Sequence, residues 1–175
     1  DVPWDVATEM AICAIIEVIE AGLCLHDEIE VRAVEGNHDP TFVASVLIAL
    51  RIRFQNEPRV TIGETGDQVS VVIFETVMLA FNHGDKAKPR DAVEYLTDEF
   101  REEWGKTRHT YYWTGHKHRR EGKQIGGAMW EQLEPICPRN LYARKNLFCG
   151  RASMMIVEYH ALDGERNRYR VPFPA

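Results

Sequence analysis

The sequence predicts an α/β fold with more than one sheet, and three observations carry that reading. Apolar runs of helical period alternate with short β-branched runs over the first hundred residues, and the remainder reads mostly as strands. Three histidine-bearing turns each follow a predicted strand: Gly36-Asn37-His38-Asp39, Asn82-His83-Gly84-Asp85 and Gly115-His116-Lys117-His118. The 175 residues are enough for one domain that buries on the order of 70% of its surface.

Asp5 to Leu23 is apolar nearly all round, so a helix covered on most sides is expected. Glu28 to Val34 alternates and is rich in β-branched residues, the pattern of a strand. In the turn that follows, Asp39 suits a helix N-cap and Pro40 the first helical position. Phe42 to Phe54 supplies that helix. A strand, a glycine turn and a helix N-terminus in succession favour a bound phosphate. Val60-Thr61-Ile62 reads as a short strand. Val69 to Phe74 and Val77 to Phe81 read as a hairpin turning near Glu75-Thr76, and its second strand delivers His83. Asp91 to Trp104 is an amphipathic helix with Val93, Leu96, Phe100 and Trp104 on one face. His109 to Thr114 is an aromatic strand ending at Gly115-His116. Its Tyr111, Tyr112 and Trp113 are read as core residues rather than as a base-stacking platform. Gln124 to Leu133, Ser153 to Tyr159 and Arg168 to Val171 are further strands. No repeat, low-complexity segment or linker is visible, so residues 1–175 are expected to form a single domain.

The net charge of −6 conceals an asymmetry. Residues 1–100 carry 7 basic against 19 acidic side chains, a balance of −12, and residues 101–175 carry 14 against 8, a balance of +6. Lys117, Arg119, Arg120 and Lys123 crowd the third histidine turn, an arrangement that suits an anionic substrate. The longest apolar segment, Met10 to Leu25, is interrupted by Glu17 and Glu20, so no membrane span is expected. Asp1 and Asp5 stand where a secretory leader would be basic, which points to the cytoplasm. The four cysteines form no CxxC pair and are expected as reduced thiols.

An amide oxygen, an imidazole and a carboxylate in consecutive positions, with further histidines at other strand ends, is the donor set of metal-assisted phosphate chemistry. Neutral imidazoles and an amide oxygen suit Mn, Fe, Zn or Ni. Two divalent ions about 3.5–4 Å apart bind a nucleophile and phosphoryl oxygens together. A glycine beside each histidine lets the backbone turn and leaves room for ions.

The order Gly-Asn-His-Asp, then His-Gly after a strand, then Gly-His-x-His resembles the last three of five signature blocks of the calcineurin-like metallophosphoesterases. Asn82-His83-Gly84-Asp85 and Trp113-Thr114-Gly115-His116 are most similar to phage-encoded and bacterial members described as DNA-repair exonucleases. The resemblance implies packed β-sheets flanked by helices in αββα layers. It also implies two divalent ions (Mn, Fe, Zn, Ni or Mg) and hydrolysis of a phosphate ester by a metal-activated hydroxide. By position it makes Asn37, His83, His116 and His118 metal ligands. His38 stands at the leaving-group oxygen, and Asp39 orients it and raises its pKa. Lys117, Arg119 and Arg120 would face the phosphate-ester substrate, with a nucleic acid or nucleotide favoured by their charge.

The first two blocks of that pattern, Asp-x-His and Gly-Asp-x-x-Asp, have no counterpart before Gly36. Together with the absence of an initiator Met, this leads to the expectation of the C-terminal portion of a longer enzyme that binds metal weakly and turns over little substrate. Two other functions compete. One is a non-catalytic remnant acting as a scaffold or interaction module. The other is a structural zinc protein using Cys137 and Cys149 with His116 and His118, whose cysteine spacing matches no common zinc pattern.

Overall fold

The computed structural model describes residues 2–38, 40–64, 68–136, 145 and 151–173. Asp39, Cys137 and Cys149 lie outside the described residues. The chain divides into two compact units, Asp1–Gln68 and Val69–Ala175.

The first unit runs α1 (Trp4–Leu23), β1 (Ile29–Val31), α2 (Pro40–Phe54) and β2 (Val60–Ile62). β1 and β2 pair in parallel, Ile29 opposite Val60, with α2 as the connection. Both helices bury one stripe. Ile12, Ile15, Ile16, Ile19 and Leu23 on α1 meet Val43, Val46, Leu47, Leu50 and Phe54 on α2, each set spaced i, i+3, i+4, i+7, i+11. Leu47 and Leu50 are 1% exposed, and burying each contributes roughly 2 kcal/mol. The expectation that α1 is covered on most sides is corrected: of its residues only Ile19 is buried, and Met10 and Val18 are exposed. One stripe suffices to pack two helices, and the remaining apolar positions of α1 are surplus to it. β1 is also shorter than Glu28–Val34, because its ladder extends only as far as the three residues of β2.

The second unit is built on a five-stranded mixed sheet of order β3-β4-β5-β7-β6. Its strands are β3 (Ser70–Phe74), β4 (Val77–Asn82), β5 (His109–Thr114), β6 (Glu121–Ile125) and β7 (Ala128–Gln132). β4, β5 and β7 are parallel, and β3 and β6 are antiparallel edges. Between β4 and β5 come α3 (Pro89–Glu99) and α4 (Arg101–Lys106). They close over one sheet face. Ala92, Val93 and Leu96 pack with Met78, Ala80, Tyr112, Ala128 and Trp130, joined by Phe100 and Trp104. The single helix expected over Asp91–Trp104 is therefore two. Phe100 leaves helical geometry (φ −110°, ψ 42°), and the bend keeps both Phe100 and Trp104 against the core.

Gln124–Leu133 is not one strand. It is the end of β6 and the whole of β7, joined at Gly126 (φ 54°) and Gly127 (φ 94°). Two positive φ angles in a two-residue loop are what a type I′ hairpin turn requires, and glycine adopts them without strain.

The opposite sheet face carries a hairpin of β8 (Ser153–His160) and β9 (Gly164–Pro172). β9 is longer than Arg168–Val171, since it pairs along almost the full length of β8. Tyr159 packs on Tyr111 with ring centroids 4.8 Å apart, and the Arg168 guanidinium lies 5.1 Å from the Trp113 ring centroid. Arg168 also pairs with buried Glu131 of β7 and, at 2.7 Å, with Glu165. Those carboxylates raise the Arg168 pKa, Glu165 most strongly. Tyr112 and Trp113 are buried, so the aromatic strand is core. The architecture is thus α/β, with helices over one face of the mixed sheet and a β-hairpin over the other. Among the described residues no helix is long and apolar enough to cross a membrane.

Candidate metal centre

β4 and β5 are adjacent parallel strands in register, with Asn82 opposite Thr114. Parallel neighbours end on the same side of a sheet, so the residues after them, His83 and Gly115, emerge side by side. The Gly115 N–H donates to the His83 carbonyl at 3.0 Å and ties the two loops together. The chain then turns through His116 at φ 69° and reaches His118 at φ 52°. Left-handed non-glycine residues cost roughly 1–2 kcal/mol each, so the surrounding structure must hold this loop in place.

That loop brings two sequence-predicted ligands into contact. His116 Nδ1 lies 3.1 Å from His83 Nε2, one ring nitrogen donating and the other accepting. The rings meet edge to face, centroids 4.9 Å apart. Both are half-buried, as is His118 in the same loop.

The glycines differ in their roles. Gly84 has φ 91°, and a Cβ on it would approach Thr114 Cβ to 3.1 Å, so the turn beyond His83 needs glycine. Gly115 has no such need: its φ is not in the left-handed region, and the nearest atom to an added Cβ is the His83 carbonyl oxygen at 3.6 Å. The expectation of a glycine-dependent turn beside every histidine holds for Gly84 and is corrected at Gly115.

Asn37 and His38 lie exposed in the turn before α2, in the first unit. Lys117 is exposed. Arg119 pairs with Glu121 at 3.2 Å, Arg120 with buried Glu131 at 2.9 Å, and Lys123 with Glu121 at 3.8 Å. Part of the positive charge read from the sequence is therefore met by neighbouring carboxylates. The Glu121 partner was visible two residues from Arg119; Glu131, eleven residues from Arg120, becomes a neighbour only through the β6–β7 hairpin.

Sequence reasoning missed the oxygens beneath the histidine loops. Asn82 Oδ1 and Thr114 Oγ1 are cut off from solvent with no hydrogen-bond partner, and so are the Tyr112 hydroxyl and Trp130 Nε1. Burial, with a smaller contribution from Tyr95, pushes the Tyr112 phenol up to about 12, so it stays a neutral hydroxyl. An unpaired buried polar atom costs about 1–3 kcal/mol. For Asn82 the signal in the sequence was a polar residue ending a strand whose other positions on the same face, Met78 and Ala80, are apolar.

Among the described residues, no three or more His, Cys, Asp or Glu groups converge as a metal cluster. Two imidazoles in contact and an unpaired amide oxygen are donor types that divalent cations accept.

No protein-family profile matches this chain, and no curated protein matches it. It is similar to solved structures of Vps29 from Entamoeba histolytica. A single mutant of that protein shares 18% identity over 66% of this chain and 71% of its own, with a TM-score of 0.41. The wild type complexed with zinc shares 17% over 81% and 78%, with a TM-score of 0.36. A double mutant shares 17% over 74% of each chain, also at 0.36. At that identity and overlap the likeness is to part of a chain path and does not extend to function.

Proposed function

We propose that this chain is a metal-dependent phosphoesterase of the calcineurin-like metallophosphoesterase type, with His83, His116 and His118 holding divalent metal. The observation that carries the reading is the 3.1 Å contact between His83 and His116 at the ends of neighbouring parallel strands. Thirty-three residues separate them in the chain. They are the histidines that the motif order assigns to one centre.

A bound divalent cation would polarise a phosphoryl oxygen and make water nucleophilic at neutral pH. The chain's own residues do the rest. His83 and His116 present ring nitrogens from loops locked to each other through the Gly115 amide, so little reorganisation accompanies binding. Asn37 is read as a further ligand. His38 is read as the group that stabilises or protonates the departing oxygen, and Asp39 as the carboxylate that orients it. Lys117 offers a positive charge to the phosphate, flanked by Arg119 and Arg120, which also hold Glu121 and Glu131. The substrate proposed is a phosphodiester, a nucleic acid or nucleotide, as in the phage and bacterial exonuclease-type members, acted on in the cytoplasm.

The test is Mn-dependent hydrolysis of bis(p-nitrophenyl) phosphate by the full chain, run beside metal binding followed by calorimetry. Turnover that His116→Ala abolishes together with metal binding supports the enzyme. Metal binding without turnover, under every metal tried, would instead favour the scaffold reading. Metal binding left intact by both His83→Ala and His116→Ala would refute the assignment.

A further inference from the structure

We propose that Asn82 is an additional metal ligand, its side-chain Oδ1 completing a three-donor site with His83 and His116. This rests on reading the histidine pair as metal-binding.

Asn82 and Thr114 are register partners on parallel strands, so their side chains share a sheet face, and Gln132 of β7 extends the row. The three differ in how their polar atoms are met. Gln132 is 1% exposed and donates from Nε2 to the Arg119 carbonyl at 2.7 Å. Asn82 Oδ1 and Thr114 Oγ1 are sealed from solvent with no partner. The Gln132 amide is thus met by the backbone, while the Asn82 amide oxygen, one residue before His83, is left without a partner, as are the Tyr112 hydroxyl and Trp130 Nε1 farther along the same face.

Thr114 is the poorer ligand of the two, since its Cβ sits beneath Gly84 and a neutral hydroxyl is a weak donor to a cation. An amide oxygen carries more negative charge and is among the groups that bind divalent ions beside imidazole. A cation held by the two rings would also take up the lone pairs of Asn82. The histidine-and-carboxylate cluster absent among the described residues is thus replaced by two imidazoles and an amide.

The experiment is titration of the full chain with Co(II), read by its visible d–d absorption and by calorimetry, with the thermal midpoint measured in chelator. Asn82→Leu should weaken Co(II) binding by at least the ~10-fold that loss of a mere outer-shell partner costs. It should also raise the metal-free midpoint, because an amide whose oxygen is buried without a partner becomes an apolar group of similar size. Asn82→Asp should tighten binding and change the absorption envelope. A merely structural asparagine predicts the reverse of the first pair of results, a lower metal-free midpoint and unchanged affinity. If both Asn82 variants keep the parent affinity and spectrum while His116→Ala loses them, the Asn82 assignment falls and the histidine reading stands. If His116→Ala also binds like the parent, both fall.

Discussion

Gly164→Ala tests how the outer hairpin is seated on the central sheet. Gly164 opens β9 at φ 77°, and a Cβ there would stand 2.6 Å from the Tyr111 hydroxyl and 2.8 Å from His109 Cγ. The left-handed backbone alone costs an alanine about 1–2 kcal/mol. The Tyr111 hydroxyl cannot yield freely, because it accepts the Glu165 N–H at 2.7 Å, and His109 Nε2 is tied to the Leu162 carbonyl at 3.0 Å. Sacrificing one of these bonds adds about 1 kcal/mol, and both about 2. A loss of about 3 kcal/mol is expected in urea unfolding followed by tryptophan fluorescence. Gly105→Ala is the matched control: it is exposed in α4 with nothing within 4 Å of its added Cβ, and should gain about 0.5–1 kcal/mol. The cause is separable by a double-mutant cycle. Tyr111→Phe alone should cost about 1 kcal/mol, and in the Gly164→Ala background close to nothing, since it removes the atom the new methyl strikes. A Gly164→Ala protein within about 0.5 kcal/mol of the parent, or strict additivity with Tyr111→Phe, would refute the reasoning.

Gly84→Ala should cost about 1–2 kcal/mol and weaken metal binding through His83, whereas Gly115→Ala should stay within about 0.5 kcal/mol of the parent; chemical unfolding and calorimetry on both decide it. Although burial opposes it, hydrogen bonds from Ser153 and Arg170 bring the Glu134 carboxyl below its usual 4.5. The stability it contributes is present above that value and lost as pH falls through the lowered one. As pH is lowered through 4.5 and below, the parent should therefore lose more stability than Glu134→Gln, and equal slopes would count against the pair. Tyr112→Phe deletes an orphaned buried hydroxyl, so it should be neutral or gain up to about 1 kcal/mol at neutral pH. The parent alone should show the loss that a phenol raised to about 12 produces as pH climbs past 10.0. A clear loss at neutral pH on removing that hydroxyl would mean it has a partner.

Much of the fold was legible because side-chain period reports burial directly. Val60–Ile62 and His109–Thr114 appear with the bounds their alternation suggests, and the β3–β4 hairpin turns at Glu75-Thr76 as expected. Elements were misjudged where one residue decides the geometry. Gly126-Gly127 splits a single apolar run into two strands, a turn signal outweighed by the run around it. Phe100 keeps the spacing of one amphipathic helix while its backbone ends that helix. Contacts between distant residues left no local trace. Arg168 reads as an alternating strand residue, and only the folded hairpin shows it against Glu131, 37 positions away.

The candidate site illustrates the same division. The turns at His83 and His116 could be placed at strand ends from local pattern alone, whereas β1 ends at Val31, short of Gly36, and adjacency depends on sheet order and register. The core beneath α3 sets that register. Met78, Ala80 and Asn82 alternate in step with Thr110, Tyr112 and Thr114, and the apolar members are buried against Ala92, Val93 and Leu96. A slip of one residue between β4 and β5 would send Trp113, a residue of the opposite face, to stand beside Asn82. It would also move His116 by ~3.3 Å relative to His83, enough to break a 3.1 Å contact. The packing of Ala80 and Tyr112, both fully buried, therefore helps to keep the two imidazoles in contact. Core substitutions that loosen this register should weaken metal binding without touching a ligand.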